Sequence, residues 1–179
     1  MKLTEIKEQD QKAWDEFRSK SKFDKNVYRK NLFDLSEILN NFEVPFCLAF
    51  GTLLGAIRDK DFIDGDPDVD IMIMERNEEM LVQALLSDSL KACGLEVVRA
   101  DQWLASVARE QCYVDCYLFR PHDDGTSKCW SYWIETDRLE HPEWIGFLGK
   151  QFRIPKDPES YLSRIYGNWK VKADTHANS

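Results

Sequence analysis

Residues 50–74 read FGTLLGAIRDKDFIDGDPDVDIMIM, and this stretch decides the fold that the sequence predicts. An apolar run at 45–50 leads into it and is typical of a short buried strand. We expect a short helix at 53–58 and a polar loop at 59–67. The β-branched run at 68–74 predicts a second strand, so two strands flank an acidic loop.

Two aspartates, Asp68 and Asp70, begin the second predicted strand. Side chains two positions apart in a strand share a face, so both carboxylates are expected beside Met72 and Met74, with the alternate face buried. Two close negative charges repel each other unless a cation neutralises them. Mg²⁺ binds one or two carboxylates together with water and substrate phosphates. The pair therefore predicts a site for Mg²⁺ (or Mn²⁺) and a phosphate-bearing substrate.

The segment before the acidic loop has features of a phosphate-binding segment. Gly51 allows a phosphate to approach the backbone, and the start of the following helix offers free N–H groups. Thr52 can add a hydroxyl donor. Arg58 lies one to two turns further on and can bind a phosphate through two parallel hydrogen bonds.

A third carboxylate, Asp115, stands alone in the apolar and aromatic run at 113–119. Its neighbours Val114 and Cys116 are expected to face the core. An unpaired buried charge is costly, so Asp115 needs a metal, a cation or water beside it. Two explanations remain open: Asp115 belongs to the site, or it pairs with Arg109 or Arg120.

The rest of the chain predicts helices and strands in an α+β order with a mixed sheet and flanking helices. An apolar stripe predicts a helix ending near Phe42, and Gly94 is expected to stop another helix that Asn77 caps. Asp157 is expected to cap a last helix that ends at Gly167. The predicted elements are helices at 28–42, 77–93 and 157–167 and strands at 95–99, 103–108, 113–119 and 129–134.

Length, charge and cysteine content limit the protein class. The chain has 179 residues and a formal net charge of −8, which fits one domain spanning 1–179 and does not favour nucleic-acid binding. Its polar start does not resemble a secretory signal, and no run is long enough to be a transmembrane segment. The five cysteines then favour reduced thiols and a cytoplasmic location. Residues 170–179 are expected to fray.

The run GTLLGAIRDKDFIDGDPDVDI resembles the signature of the LicD/fukutin-related family, in which a Gly-Thr-Leu-Leu-Gly-Ala-x-Arg run precedes an acidic stretch ending in Asp-x-Asp. A weaker resemblance lies in IPKDPESYL at 154–162 and in YGNW at 166–169. Together these matches span about residues 32–169. The resemblance implies a nucleotidyltransferase-like fold.

The resemblance also implies a metal-dependent phosphotransferase. Such enzymes move a phospho-alcohol, for example phosphocholine or a polyol phosphate, from a CDP-activated donor to a glycan or other hydroxyl acceptor. It implies catalytic and metal-binding roles for Asp68, Asp70 and Asp115, and substrate-side roles for Gly51, Thr52, Arg58 and Asp66. Two departures concern the donor contacts: Gly65-Asp66-Pro67-Asp68 replaces a Trp-Asp-Asp-Asp run, and Phe50 replaces a second glycine.

Alternative functions remain open. The first is a nucleotidyltransferase that moves a nucleotide onto a small molecule, RNA or protein, and the second is a module that only binds. An EF-hand register fails because Lys60 would occupy its first position. Zinc binding by Cys112, Cys116, His122 and Cys129 is disfavoured by their spacing, and His141 and His176 carry no motif. Aromatic residues from Trp130 to Trp144 either line an acceptor groove or pack the core.

Overall fold

The structure is a computed structural model that describes residues 1–7 and 10–172. The helices in these residues are α1 (Gln11–Ser19), α2 (Lys25–Asn41), α3 (Phe50–Leu54), α4 (Glu78–Leu86), α5 (Asp88–Ala92), α6 (Thr136–Glu140) and α7 (Pro158–Tyr166). The strands are β1 (Cys47–Leu48), β2 (Val69–Met74), β3 (Glu96–Ala100), β4 (Leu104–Arg109), β5 (Cys112–Pro121), β6 (Thr126–Cys129), β7 (Tyr132–Glu135), β8 (Glu143–Phe147) and β9 (Lys150–Ile154). A π-helical turn at Gly55–Asp59 continues α3.

The central sheet has the order β1-β2-β5-β4-β3 and is mixed. Strands β2 and β5 run parallel, whereas β1, β4 and β3 pair antiparallel with their neighbours. The far end of β5 continues into a small antiparallel extension with β6 and β7, and β8 and β9 form a separate hairpin. The mixed sheet with flanking helices confirms the predicted fold class.

Helix α2 packs on the central sheet. Its apolar stripe, including Leu32, Leu35 and Leu39, is fully or nearly fully buried, as its spacing predicts. The Asp24 side chain accepts from the backbone N–H of Asn26 and Val27 and thereby caps the helix. Burial of this stripe against the strands is the main driving force that fixes the helix on the sheet.

Several predicted boundaries agree with the structure. The helix predicted at 28–42 is α2, and the strands predicted at 68–74, 95–99, 103–108 and 113–119 are β2 to β5 with small shifts. Gly94 and Gly167 both have positive φ, as expected at helix ends. Asp157 and Asn77 precede their helices, but neither side chain makes the expected capping hydrogen bond.

The strand predicted at 45–50 is shorter than expected. Only Cys47 and Leu48 pair with β2, because the chain turns into α3 at Phe50, which has a φ of 43°. The helix predicted at 53–58 therefore starts three residues earlier. Both faces of β2 are covered, since all six of its residues are buried.

Two predicted elements are each divided in two. The helix predicted at 77–93 breaks at Ser87, whose backbone is extended and whose hydroxyl accepts from the N–H of Leu90 to start α5. The strand predicted at 129–134 is a hairpin, because the chain turns at Trp130 between β6 and β7. The sequence patterns described above do not predict α1, α6 or the β8–β9 hairpin.

In residues 1–7 and 10–172, no helix combines the length and the apolar character that a bilayer crossing requires. The predicted frayed tail lies mostly at residues 173–179, which are outside the described residues, as is His176.

Candidate active site

The two parallel central strands bring the three carboxylates together. Asp70 on β2 pairs in register with Asp115 on β5, so their side chains lie on the same face of neighbouring strands. Asp68 immediately precedes β2. One oxygen from each carboxylate lies within 4.8 Å of the other two. The sequence placed Asp68 and Asp70 on one face, and the strand pairing adds Asp115.

The carboxylates are hydrogen-bonded from several elements. Ser106 on β4 lies opposite Asp115, and its hydroxyl donates to Asp115 Oδ1. The backbone N–H of Asp70 donates to Thr52 Oγ1 over 2.9 Å, which ties β2 to α3. Thr52 therefore positions Asp70, and its predicted contact with substrate stays a prediction.

Burial and mutual repulsion both act on these acids. Burial raises the pKa of Asp70 well above its usual range, and the charges of Asp68 and Asp115 raise it further. Burial also raises the pKa of Asp115 to about 7, although the hydrogen bond from Ser106 opposes the shift. Burial likewise raises the pKa of Asp68, against a hydrogen bond from the Tyr113 hydroxyl.

A divalent metal ion fits this group of side chains. All three ligands are hard carboxylate oxygens, which are the ligands that Mg²⁺ and Mn²⁺ prefer. The raised pKa values of the three carboxyl groups mean that their charged forms lack sufficient compensation from the protein itself. Within residues 1–7 and 10–172, these aspartates are the one cluster of at least three potential ligands this close together. The aspartates can therefore bind a divalent metal.

The alternative partners of Asp115 are engaged elsewhere. Arg109 donates to Asn31 and pairs with Asp34 at 2.8 Å. Arg120 pairs with Glu75 at 3.3 Å and donates to the carbonyl oxygen of Gln102. Asp115 therefore belongs to the carboxylate group and does not form an arginine ion pair.

The acidic loop is held close to the carboxylates by α2. Lys25 Nζ lies 2.9 Å from Asp61 Oδ2 and 2.6 Å from Asp64 Oδ1, and the Tyr28 hydroxyl donates to the carbonyl oxygen of Asp66. A Cβ atom added to Gly51 would collide with Oδ2 of Asp66, so this close approach requires glycine.

Asp66 lines the same cleft but is not part of the group of three. Burial raises the pKa of Asp66 to about 6, and the charge of Asp68 adds to the shift. The cleft has a volume of about 510 Å³. Its lining runs along α3, the acidic loop, the start of β2, Tyr117, Tyr132 and the end of α7 at Tyr166.

Arg58 does not line this cleft. Its guanidinium forms two hydrogen bonds of 2.9 Å with the carboxylate of Asp59 and donates to the carbonyl oxygen of Trp169. Lys172 also lies 3.2 Å from Asp59. Arg58 thus connects the end of α3 to the segment after α7, and its predicted role in binding phosphate stays a prediction.

The sequence patterns assign no site role to four residues that line the cleft or contact the carboxylates, Ser106, Tyr113, Tyr117 and Tyr166. Tyr132 also lines the cleft, whereas Trp130 and Trp144 of the same aromatic range do not. Tyr113 was detectable, because it lies two residues from Asp115 and so shares its strand face. Ser106 depends on the register of β4 with β5, which no local pattern reveals. Cys116 of the disfavoured zinc set is buried on the opposite face of β5.

The mixed sheet brings three carboxylates together on adjacent strands. Residues 43–157 match the family described as LicD/FKTN/FKRP, nucleotidyltransferase domain. The chain belongs to this family, which confirms the resemblance in its sequence. The chain is therefore a transferase of the LicD/nucleotidyltransferase type.

Solved structures share the fold at low sequence identity. A solution structure of the antibiotic-resistance factor ANT(2'')-Ia aligns with a TM-score of 0.54 at 10% identity, covering 83% of this chain and 80% of that chain. The lincosamide antibiotic adenylyltransferase LnuA, bound to lincomycin, aligns with a TM-score of 0.52 at 16% identity, covering 82% of this chain and 90% of that chain. No curated protein matches the chain in sequence.

Proposed function

We propose that the protein is a metal-dependent phosphotransferase that moves a phospho-alcohol from a CDP-activated donor to a hydroxyl acceptor such as a glycan. The observation that carries this proposal is the convergence of Asp68, Asp70 and Asp115, with oxygens within 4.8 Å of one another. Membership of the LicD/FKTN/FKRP family supports a nucleotide-type donor and a hydroxyl acceptor.

The half-buried Asp68 and the buried Asp70 and Asp115 would hold Mg²⁺ or Mn²⁺ next to the cleft. A bound cation would neutralise the carboxylates, bind the donor's phosphate oxygens and polarise the phosphorus. Ser106 and Thr52 orient Asp115 and Asp70 for this task, because each contributes a hydrogen bond that limits strand or side-chain movement.

Asp66 is the carboxylate suited to accept the proton of the acceptor hydroxyl. It lines the cleft, lies outside the group of three, and has a pKa raised to about 6 by burial. A carboxylate that lines the cleft without binding the metal keeps its oxygens available to accept a proton. The acceptor oxygen then bonds to the phosphorus of the phospho-alcohol, and the bond from that phosphorus to CMP breaks.

The reaction products test this function. Purified protein is incubated with Mg²⁺, a hydroxyl acceptor and a CDP-alcohol such as CDP-choline or a CDP-polyol, and nucleotide release is followed by chromatography. We expect CMP release that stops on chelation with EDTA and resumes with added Mg²⁺ or Mn²⁺. Metal-independent release, or no release from any CDP-alcohol, would contradict the proposal.

A second candidate is a nucleotidyltransferase that attaches a nucleoside monophosphate to its acceptor. This candidate is supported by the fold that the chain shares with LnuA, which is an adenylyltransferase. In this case nucleoside triphosphates would release pyrophosphate in the presence of acceptor, whereas CDP-alcohols would stay intact. Measuring CMP and pyrophosphate in parallel assays separates the two candidates.

A further inference from the structure

Aromatic side chains line the same cleft as the aspartates. The ring of Phe50 lies 4.7 Å from the ring of Tyr132 and 5.0 Å from that of Tyr117, measured between centroids. Tyr166, at the end of α7, lines the same cleft. Tyr132 and Tyr166 remain 43% and 39% exposed, so both rings are accessible to a ligand.

Two aromatic residues of this region, Phe50 and Trp130, have a strained backbone conformation. Phe50 has a φ of 43° and Trp130, whose ring lies 6.1 Å from that of Tyr117, has a φ of 50°. A bulky side chain rarely adopts this left-handed region, which glycine occupies at little cost. Strain of this kind persists only where the surrounding structure imposes it, so the packing of the aromatic rings holds both residues in place.

The negative charge of the cleft limits which chemical groups can bind beside its aromatic side chains. Among the described residues, those that line the cleft include Asp64, Asp66, Asp68 and Asp70 but no lysine, arginine or histidine. A phosphate would therefore lie at the carboxylates with their metal. The aromatic rings are left to contact an uncharged part of the substrate, and ring faces bind other rings well.

We propose that Tyr132 and Tyr166 form a stacking site for an uncharged ring of the substrate, next to the three carboxylates, with the buried ring of Phe50 packed against Tyr132. The ring is either the cytosine of the donor or a sugar of the acceptor, since both present a face to aromatic side chains. A cavity of about 510 Å³ has room for such a ring beside a phosphate group. This inference rests on the proposed function for the identity of the two candidate rings.

Calorimetric binding in the presence of Mg²⁺ tests the stacking site without requiring turnover. The probes are CMP, ribose 5-phosphate, which lacks the base, and methyl galactoside, which carries only a sugar ring. The test variant is Tyr132→Ala, because this half-exposed ring lines the cleft, and the melting temperature of the variant is measured to confirm that it folds. The control is Trp144→Ala, which removes another exposed aromatic ring, on β8 outside the cleft.

For a cytosine site, we expect the wild type to bind CMP about tenfold more tightly than ribose 5-phosphate, and Tyr132→Ala to lose this difference. For a sugar site, methyl galactoside binds the wild type and Tyr132→Ala weakens it by a similar factor. Trp144→Ala should match the wild type with every probe. Phe50→Leu, which retains apolar bulk but lacks the ring, should weaken the same probe as Tyr132→Ala.

The stacking site is wrong if CMP binds no more tightly than ribose 5-phosphate and methyl galactoside does not bind. It is also wrong if Tyr132→Ala binds CMP and methyl galactoside as tightly as the wild type does. Either result combined with intact Mg²⁺-dependent CMP release would overturn the stacking site alone. Ring-dependent binding without CMP release from any CDP-alcohol would overturn the proposed phosphotransfer alone.

Discussion

The two ends of β2 carry different chemistry on one face of the same strand. At the start, Asp68 and Asp70 open into the acidic cleft, and their pKa values are raised by burial. At the other end, Met72 and Met74 line a separate cavity of about 250 Å³. Arginine side chains reach this cavity, and one of them, Arg76, pairs with Glu140 at 2.9 Å.

The difference separates the proposed functional region of β2 from a region that packs the core. Carboxylates that are buried and repel one another destabilise the metal-free fold, and the proposed metal would compensate them at this end of β2. The methionines at the other end gain free energy simply by leaving water. Substitutions at the two ends should therefore affect different measurements.

The largest effect is expected from Asp70→Asn. The amide keeps the size of the side chain but removes a charged metal ligand, so CMP release should fall by more than about 100-fold. Stability without metal should not fall, because a repelling charge is lost. Met72→Leu, on the same face of the same strand, is the matched control and should retain full turnover. If Asp70→Asn kept turnover within a few-fold of the wild type, the aspartate end of β2 would have no catalytic role that the methionine end lacks.

The next effect is expected from Met72→Ala. Met72 is 1% exposed, and truncating a buried methionine leaves a cavity that costs about 2–5 kcal/mol of unfolding free energy. Urea denaturation measures this loss, and calorimetry on the folded protein should give an unchanged affinity for Mg²⁺. A stable variant with weakened Mg²⁺ binding would show that the methionine end contributes to the metal site.

The smallest effect is a pH dependence of stability that Asp115→Asn should reduce. The pKa of Asp115 is raised to about 7 in the folded protein, mainly by burial, and is about 4 in an unfolded chain. The folded state therefore binds the extra proton, and the metal-free protein loses stability as the pH rises from about 4 through about 7. The melting temperature should fall less steeply over this range in Asp115→Asn.

Added Mg²⁺ should reverse this loss in the wild type near neutral pH, because it binds the charged form of the carboxylates. If the melting temperatures of the wild type and Asp115→Asn changed equally with pH, the raised pKa of Asp115 would be contradicted. Asp88→Asn, a substitution at a fully exposed carboxylate on α5, is a suitable control and should reproduce the wild-type profile.

Local patterns predicted much of the fold because its main elements have strong periodicity. The apolar stripe of α2 and the β-branched run of β2 both bury their side chains, so each appears in the sequence with its own repeat. The β6–β7 turn was missed because a tryptophan, Trp130, occupies the left-handed position where glycine or asparagine is expected. The β8–β9 turn contains Gly149 with a positive φ, a signal that was present but not used.

The sequence by itself determined that Asp68 and Asp70 share a strand face, because side-chain alternation is a local property of the backbone. It also determined family membership, through the run from Gly51 to Asp70. Only the tertiary structure decided that Asp115 joins this pair and that Tyr132 and Tyr166 line the same cleft. Strand order, register and helix docking arise from long-range packing, and no short stretch of sequence encodes these contacts.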